Sequence, residues 1–344
     1  MSTMETTMTH AVTQPGRLAS ASRSLKVLAG ALLAVGTVLS SSASLAQNTP
    51  QLPDVVRIVV PFTPGGSNDV YARALAEQLG QNLGRSFIIE NKAGAGGSIG
   101  SNDVARAKPD GSSLLFSSNS FVTRAAVDSK LPYDVRTSFE PVALVARGPM
   151  LLVTNTEVPF KTIPELIKTA KTSPVNYGSA GIGSIGQLSA ELFNSLADTQ
   201  MTHIPYKGIA GGLTDMMGGR IELMITTPAS LGGSLDAGRV KAIAVTSPEP
   251  SKFFPELPTI AESVPGYSVE VWWGVYAPAG TPRELVDYLN QEIVKVTSSQ
   301  RMIKLLANEA SEPSKMNSEE FRTFVDSELT KWSTLAKERN ISLN

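Results

Sequence analysis

The chain has no cysteine. That excludes disulfides, thiolate metal sites, thiol nucleophiles and a lipid-modified cysteine at a processing site. Histidine is almost missing too: His10 and His203 are the whole complement, and His10 falls in the leader described below. A zinc site built from several histidines is thereby excluded from the rest of the chain, and a Ser-His-Asp triad would have to use His203. No charge sign dominates. The 30 Lys and Arg against 31 Asp and Glu leave a formal net charge of −1 at pH 7, with the basic residues scattered and not interleaved with aromatics. Bulk binding of a polyanion is excluded, and nucleic acid is not an expected partner. After Leu39 no apolar run approaches the roughly 20 residues that span a bilayer.

What is present begins with an export signal. Arg23 and Lys26 flank the apolar run Val27–Leu39, and Ser44-Leu45-Ala46 puts small residues at −3 and −1 of a cut before Gln47. The expected mature protein is periplasmic and soluble, and Met8 is an alternative start. The remaining length suffices for a sizeable core and two lobes.

Strand and helix signals alternate along the mature chain, which argues for α/β architecture with parallel strands. Val55–Pro61 reads as a buried strand that breaks at Phe62-Thr63-Pro64-Gly65-Gly66-Ser67-Asn68-Asp69, where Ser67, Asn68 or Asp69 is expected to cap the next helix. The middle repeats that grammar: a short strand, the small-residue loop Ser179–Gly186, then a helix from Gln187. Ser230–Gly238 reads as a weak helix. Thr281-Pro282-Arg283-Glu284 reads as a helix start with Thr281 as cap and Pro282 at the first helical position. The expected division is leader 1–46, first lobe 47–150, second lobe 151–271, and a return to the first lobe over 272–344.

Two loops carry the chemistry. Each pairs flexible glycine backbone with a helix start, and unpaired helix-end N–H groups favour a carboxylate or phosphate. The first offers Phe62, Thr63, Gly65, Gly66, Ser67, Asn68 and Asp69; the second offers Ser179, Ala180, Gly181, Gly183 and Ser184. Matching positions in two lobes suggest a paired anion clamp. Asp69 either caps its helix or faces the ligand, where it would repel an anion unless it bonds a donor. His203 reads as a structural residue or a ligand contact. Phe62, Tyr206 and Trp272-Trp273 read as core or as pocket wall. Gly94–Gly100 lacks the Gly-Lys-Ser/Thr ending of a nucleotide loop and reads as a close-packed turn. A hydrolase using Ser179 or Ser184 with His203 would lack the G-x-S-x-G elbow.

The segments VRIVVPFTPGGSNDVYARALAEQLG (Val56–Gly80), IIENKAGAGGSIGSNDVARAKPDG (Ile88–Gly111), NYGSAGIGSIGQLSAELF (Asn176–Phe193), HIPYKG (His203–Gly208), LTDMMGGRIELM (Leu213–Met224) and VYAPAGTP (Val275–Pro282) resemble, in this order and spacing, the Bug/TctC family of extracytoplasmic solute receptors. The resemblance covers nearly the whole mature chain. It implies a type II periplasmic-binding-protein fold, two α/β lobes closing over a small organic carboxylate. It implies no catalysis, no metal and no cofactor. The partners it implies are membrane transport subunits or, alternatively, a sensor; the expected assembly state is a monomer. The family's anion contacts carry over onto Phe62–Asp69 and Ser179–Ser184, with waters bridging the ligand to the first lobe. Departures lie at Thr63, which adds a hydroxyl, and at Ile225-Thr226-Thr227, where many members carry an acid; Thr226 is therefore an expected contact, as are Ser118 and Asn119 of the polar trio 118–120.

Overall fold

The computed structural model describes residues 50–343. The expected leader, its cut before Gln47 and the alternative start lie outside the described residues. In chain order the elements are β1 (Val55–Val60), α1 (Ser67–Leu83), β2 (Ser86–Asn91), α2 (Ser98–Ala105), β3 (Ser113–Ser118), α3 (Ser120–Val127), β4 (Phe139–Pro149), β5 (Leu151–Thr154), α4 (Ile163–Thr172), β6 (Asn176–Ser179), α5 (Ile185–Ala197), β7 (Thr202–Pro205), α6 (Ile209–Met217), β8 (Leu223–Thr226), β9 (Lys241–Val245), β10 (Glu270–Pro278), α7 (Arg283–Thr297), α8 (Gln300–Leu306), β11 (Glu312–Pro313) and α9 (Ser318–Glu338).

Local chemistry accounts for most boundaries. Gly84 ends α1 in the left-handed region at φ 62° and donates its N–H to the Gly80 carbonyl. Thr162 caps α4 through the Glu165 N–H, with a proline in the first turn. Asn317 and Glu320 form a reciprocal capping box on α9. In the polar trio 118–120, Ser118 ends β3, Asn119 stands at the cap position and Ser120 opens α3. Two expectations need correcting. The weak helix expected over 230–238 is a 3-10 turn, Ala229–Ser234, broken by Gly232 at φ 52°. Helix α7 starts at Arg283 with Pro282 as its cap residue, because the Thr281 hydroxyl bonds the Pro278 carbonyl at 2.8 Å and is not available to the helix.

The strands form two sheets, in the orders β11-β4-β10-β3-β1-β2 and β7-β6-β8-β5-β9. These are two α/β lobes of the type II periplasmic-binding-protein kind. Each sheet is mixed where parallel strands were expected. β1 runs parallel to β2 and β3, whereas β10 is antiparallel to both β3 and β4. In the second sheet β6 is parallel to β7 and β8, and β5 is antiparallel to β8 and β9. The reason is the crossing between lobes: β4 leads directly into β5, and the chain returns through 246–269 into β10, so the outgoing and returning strands must oppose each other. Met150 and Thr246 bind one another at that crossing, the Met150 N–H donating to Thr246 Oγ1 at 2.8 Å and the Thr246 N–H to the Met150 carbonyl at 3.0 Å.

This topology decides where the loops go. β3 and β4 each oppose β10 and so point the same way; β1 is parallel to β3, so the carboxyl ends of β1 and β3 lie at the edge where β4 leaves for the second lobe. In the second sheet Leu151, just past the crossing, pairs with Thr226 at the carboxyl end of β8, and β6 runs parallel to β8. Both candidate loops therefore hang from the sheet edges that face the opposite lobe, the usual ligand edge of an open α/β sheet.

The core is aromatic. Trp272, Trp273 and Trp332 are fully buried. Trp272 and Trp332 both donate their indole N–H to Glu328 Oε2, at 3.2 and 3.1 Å, and Trp273 packs edge-on against Tyr71 with centroids 4.9 Å apart. The reading of Trp272-Trp273 as pocket wall is thus corrected: β10 is central in its sheet, and its side chains are covered on both faces.

Candidate functional site

The first loop leaves β1 at Pro61 and enters α1 at Ser67. Its helix is not capped as expected. Gly66 occupies the cap position in extended conformation, and no side chain bonds the first-turn N–H groups. Asp69, buried at 4% exposure, instead turns back to organise the loop. Its Oδ2 accepts the Gly65 N–H at 3.0 Å and Arg73 Nε at 3.0 Å, and its Oδ1 accepts Asn91 Nδ2 at 2.9 Å. Asn91 also donates to the Phe62 carbonyl at 3.1 Å. The Arg73 guanidinium, helped by Asn91 and the Gly65 amide, holds the Asp69 carboxyl below the usual carboxylate range against the opposing effect of burial. Asp69 is therefore an ionised support whose charge Arg73 compensates, and not the helix cap first considered. Gly65 at φ 94° supplies the backbone turn that lets its N–H reach the acid.

Around this loop, Asn68 Nδ2 donates to Ser118 Oγ at 3.4 Å, and Ser118 and Ser120 share a hydrogen bond of 2.8 Å. Asn68 Oδ1 is buried and has no hydrogen-bond partner. Thr63, Gly65 and Gly66 are exposed, and Phe62, Ser67 and Asn68 are half-buried. Asn119 is drawn away: its N–H donates to the Trp272 carbonyl and its Nδ2 to the Glu270 carbonyl, tying α3 to β10.

The second loop is arranged differently. Ser184 caps α5 through the Gln187 N–H, and Ser184 Oγ donates to the Gly181 carbonyl at 2.7 Å. The Gly183 N–H goes to Gln187 Oε1 at 2.7 Å, and the Gly181 N–H to Ser179 Oγ at 3.1 Å. Two glycines seat it. A Cβ on Gly183 would stand 2.6 Å from Val127 of the first lobe, and one on Gly186 would stand 2.6 Å from the Ile225 carbonyl. Ala180 is exposed, Gly181 and Ser184 are half-buried, and Ser179 is fully buried.

Behind this loop Ser179 Oγ meets His203 Nε2 at 2.7 Å, and the imidazole stacks on Tyr177 at 5.0 Å. Burial pushes the His203 pKa down, opposed by the more distant Glu191, so the ring is neutral at pH 7. Glu191 itself is taken by Tyr177 OH at 2.6 Å and Arg339 Nε at 2.8 Å. The Ser–His pair lacks the geometry of a triad: its serine is inaccessible, and the nearby acid bonds Tyr177 and Arg339, not the imidazole. Tyr206 also turns away, its OH donating to Asp215 Oδ2 at 2.9 Å. Thr226 is buried at the end of β8. Among the described residues no hydrogen bond or ion pair joins the first loop to the second, and no group of three His, Asp or Glu stands ready for a metal.

The residues that sequence reasoning missed are Arg73 and Asn91, which fix Asp69. Arg73 lies one helical turn from Asp69, a spacing that signals an ion pair; Asn91 arrives from the neighbouring strand β2 with no local signal.

A family model described as "Tripartite tricarboxylate transporter family receptor" matches residues 71–341. The chain is 34% identical over 323 residues to the UPF0065 protein in the tcbD-tcbE intergenic region of Pseudomonas sp. (strain P51), covering 93% of this chain and 95% of that one. It is 31% identical over 322 residues to Protein BugT of Bordetella pertussis, covering 91% and 98%. Among solved structures, R. palustris Rpa4515 with adipate is 35% identical at a TM-score of 0.71 and covers 84% of this chain and 98% of its own. MatC from Rhodopseudomonas palustris with bound malate is 29% identical at a TM-score of 0.69 and covers 82% and 98%. The periplasmic binding protein BugD is 34% identical at a TM-score of 0.69, covering 83% and 98%. With two α/β lobes, two facing loops and relatives that match along nearly their whole length, the chain belongs to the TctC family of tripartite tricarboxylate transporter receptors, periplasmic solute-binding proteins and not enzymes.

Proposed function

We propose that this receptor captures a small aliphatic organic acid, seating one carboxylate on the uncapped N-terminus of α1, and delivers it to membrane transport subunits. The observation that carries the reading is the Gly66 cap position. First-turn N–H groups with no side-chain acceptor, beside the hydroxyl of Ser67 and the amide of Asn68, suit a carboxylate without requiring an arginine. Phe62, Thr63 and Gly65 border this seat, and Ser118 holds Asn68. From the second lobe Ala180, Gly181, Gly183 and Ser184 close over the ligand, with Ser179, His203 and Thr226 behind them. Residues 47–150 and 272–344 act as one body and 151–271 as the other, and ligand shifts the population toward the closed arrangement. Export with a cut before Gln47 places the mature receptor beside its transport partners.

Two considerations favour an aliphatic over an aromatic skeleton. Trp272 and Trp273 are core residues and offer no flat wall, and the relatives Rpa4515 and MatC were solved with adipate and malate. The test is a thermal-shift titration of refolded, ligand-stripped protein with adipate, malate, citrate, benzoate and aspartate. A saturable rise in melting temperature with an aliphatic carboxylate is expected, since ligand that binds only the folded state stabilises it by mass action. A response to benzoate alone would overturn the aliphatic skeleton, and no response to any carboxylate would overturn the anion seat.

A further inference from the structure

One carboxyl that the two-loop reading leaves unused stands where the lobes meet. Glu309 ends the 3-10 turn Ala307–Glu309 that follows α8. Beyond it Ala310 adopts φ 51°, and Ser311 Oγ donates to the Glu309 carbonyl at 3.1 Å. This corner is wedged against the crossing between lobes: a Cβ on Gly148 would come within 2.6 Å of both the Ala310 carbonyl oxygen and Ser311 Oγ.

The Glu309 side chain is buried, the residue being 8% exposed. The Ser67 hydroxyl faces its carboxyl from the anion loop of the first lobe, and the Thr227 hydroxyl and Ala229 N–H face it from the second. Oε2 nevertheless has no hydrogen-bond partner. Tyr71 on α1 is the titratable group that senses its charge, and Tyr71 OH likewise has no partner. No Lys or Arg among the described residues favours its charged form. Among the cations of the adjoining elements, Arg73 pairs with Asp69, Arg301 with Glu77, Arg147 with Glu270 and Lys252 with Glu312, while Lys304 of α8 is exposed.

We propose that Glu309 is a positioning residue for lobe closure, its carboxyl joining the Ser67 end of the anion loop to Thr227 and Ala229 of the second lobe when the lobes come together. The inference rests on the closure reading above. With the lobes together, burial pushes the Glu309 pKa up and outweighs the three donors that favour its charge. With the lobes apart, water reaches the carboxyl and its pKa returns toward the ordinary value of about 4.3. The closed form therefore holds a proton that the open form releases. Closure is favoured as pH falls through the closed-form value, and gains nothing further below the open-form value.

The test is small-angle scattering of the soluble exported protein without ligand, so its outcome does not depend on the ligand panel. As pH is lowered from about 8 toward the ordinary carboxylate value of about 4.3, the wild-type radius of gyration is expected to fall. Glu309→Gln, an uncharged isostere, is expected to give a compact particle at every pH. Thr227→Val, which removes a donor favouring the charge in the closed form alone, is expected to move the wild-type midpoint to higher pH; a merely structural role for Glu309 would not produce that displacement. A wild-type curve that is flat, or a Glu309→Gln curve that follows the wild type, overturns the proposal. Unchanged far-ultraviolet circular dichroism identifies a variant whose size reports lobe position.

Discussion

The two loops occupy equivalent places in the two lobes, yet their hydrogen bonding is opposite. In the first, the helix cap is a glycine without a side-chain bond, and the nearby acid Asp69 is turned inward against Arg73 and Asn91. In the second, Ser184 caps its helix through the Gln187 N–H, and Gln187 and Ser179 take the Gly183 and Gly181 N–H groups. Both began as the same pattern, small residues between a strand and a helix. A helix end whose N–H groups lack acceptors binds an anion; one whose N–H groups are already occupied supplies shape and closure. On the proposed reading the clamp is asymmetric, with affinity concentrated in the first lobe.

The sharpest way to break this comparison is Gly66→Asp. The position has extended backbone and open space for a side chain, so an aspartate there accepts the first-turn N–H groups itself. Affinity for the carboxylate that gives the largest thermal shift is expected to fall by about 100-fold, as charge-assisted bonds are lost. The melting temperature of the free protein is expected to rise, since a capping side chain is worth about 1 kcal/mol. Calorimetric titration and a melting curve on one sample check both signs, and a parallel fall in both would remove the argument for an uncapped seat.

Asp69→Asn tests the support beneath that seat. It leaves Arg73 without its carboxylate and is expected to cost about 1–3 kcal/mol at neutral pH, read by urea unfolding. The pH dependence has a definite sign. The folded-state pKa of Asp69 is lowered, so its contribution is full above the ordinary value of about 3.9 and disappears as pH falls through the folded value. The gap between variant and wild type should close in acid; a gap that widens there would contradict the ion pair.

In the second loop, Gly186→Ala places a methyl group 2.6 Å from the Ile225 carbonyl oxygen, a backbone atom that cannot swing aside. A loss of about 1–3 kcal/mol is expected from this overpacking, and a melting temperature equal to wild type would show that α5 is not seated so closely on β8. Smallest is Ser184→Ala, which removes a cap worth about 1 kcal/mol and is expected to lower stability while changing affinity far less than Gly66→Asp. Equal losses of affinity at Ser184 and Gly66 would make the two loops equivalent after all.

Both strand–loop–helix units were legible in the sequence, because proline, glycine and small polar residues punctuate apolar runs wherever they occur. The second-lobe helix start and the near-neutral, cysteine-free character of the chain followed from local residue chemistry in the same way. So did the family, through motifs whose order spans the mature chain. Local chemistry did not determine which loop stays open to an anion. Ser67, Asn68 and Asp69 are all good caps by type, and only the arrival of Asn91 from the neighbouring strand, with Arg73 one turn along, turns Asp69 inward and leaves Gly66 at the cap position. The mixed direction of the sheets was hidden for a related reason: strand propensity carries no direction, and the crossing between lobes imposes it. Trp272 and Trp273 are core or pocket wall by residue type alone, and the central place of β10 buries them. Glu309, distant in sequence from Ser67 and Thr227, meets them only because the chain returns to the first lobe after building the second. Sequence by itself determined the elements and the family, since both depend on neighbours along the chain; the tertiary structure alone decided which polar groups are spent on each other and which are left for a ligand, since that depends on neighbours in space.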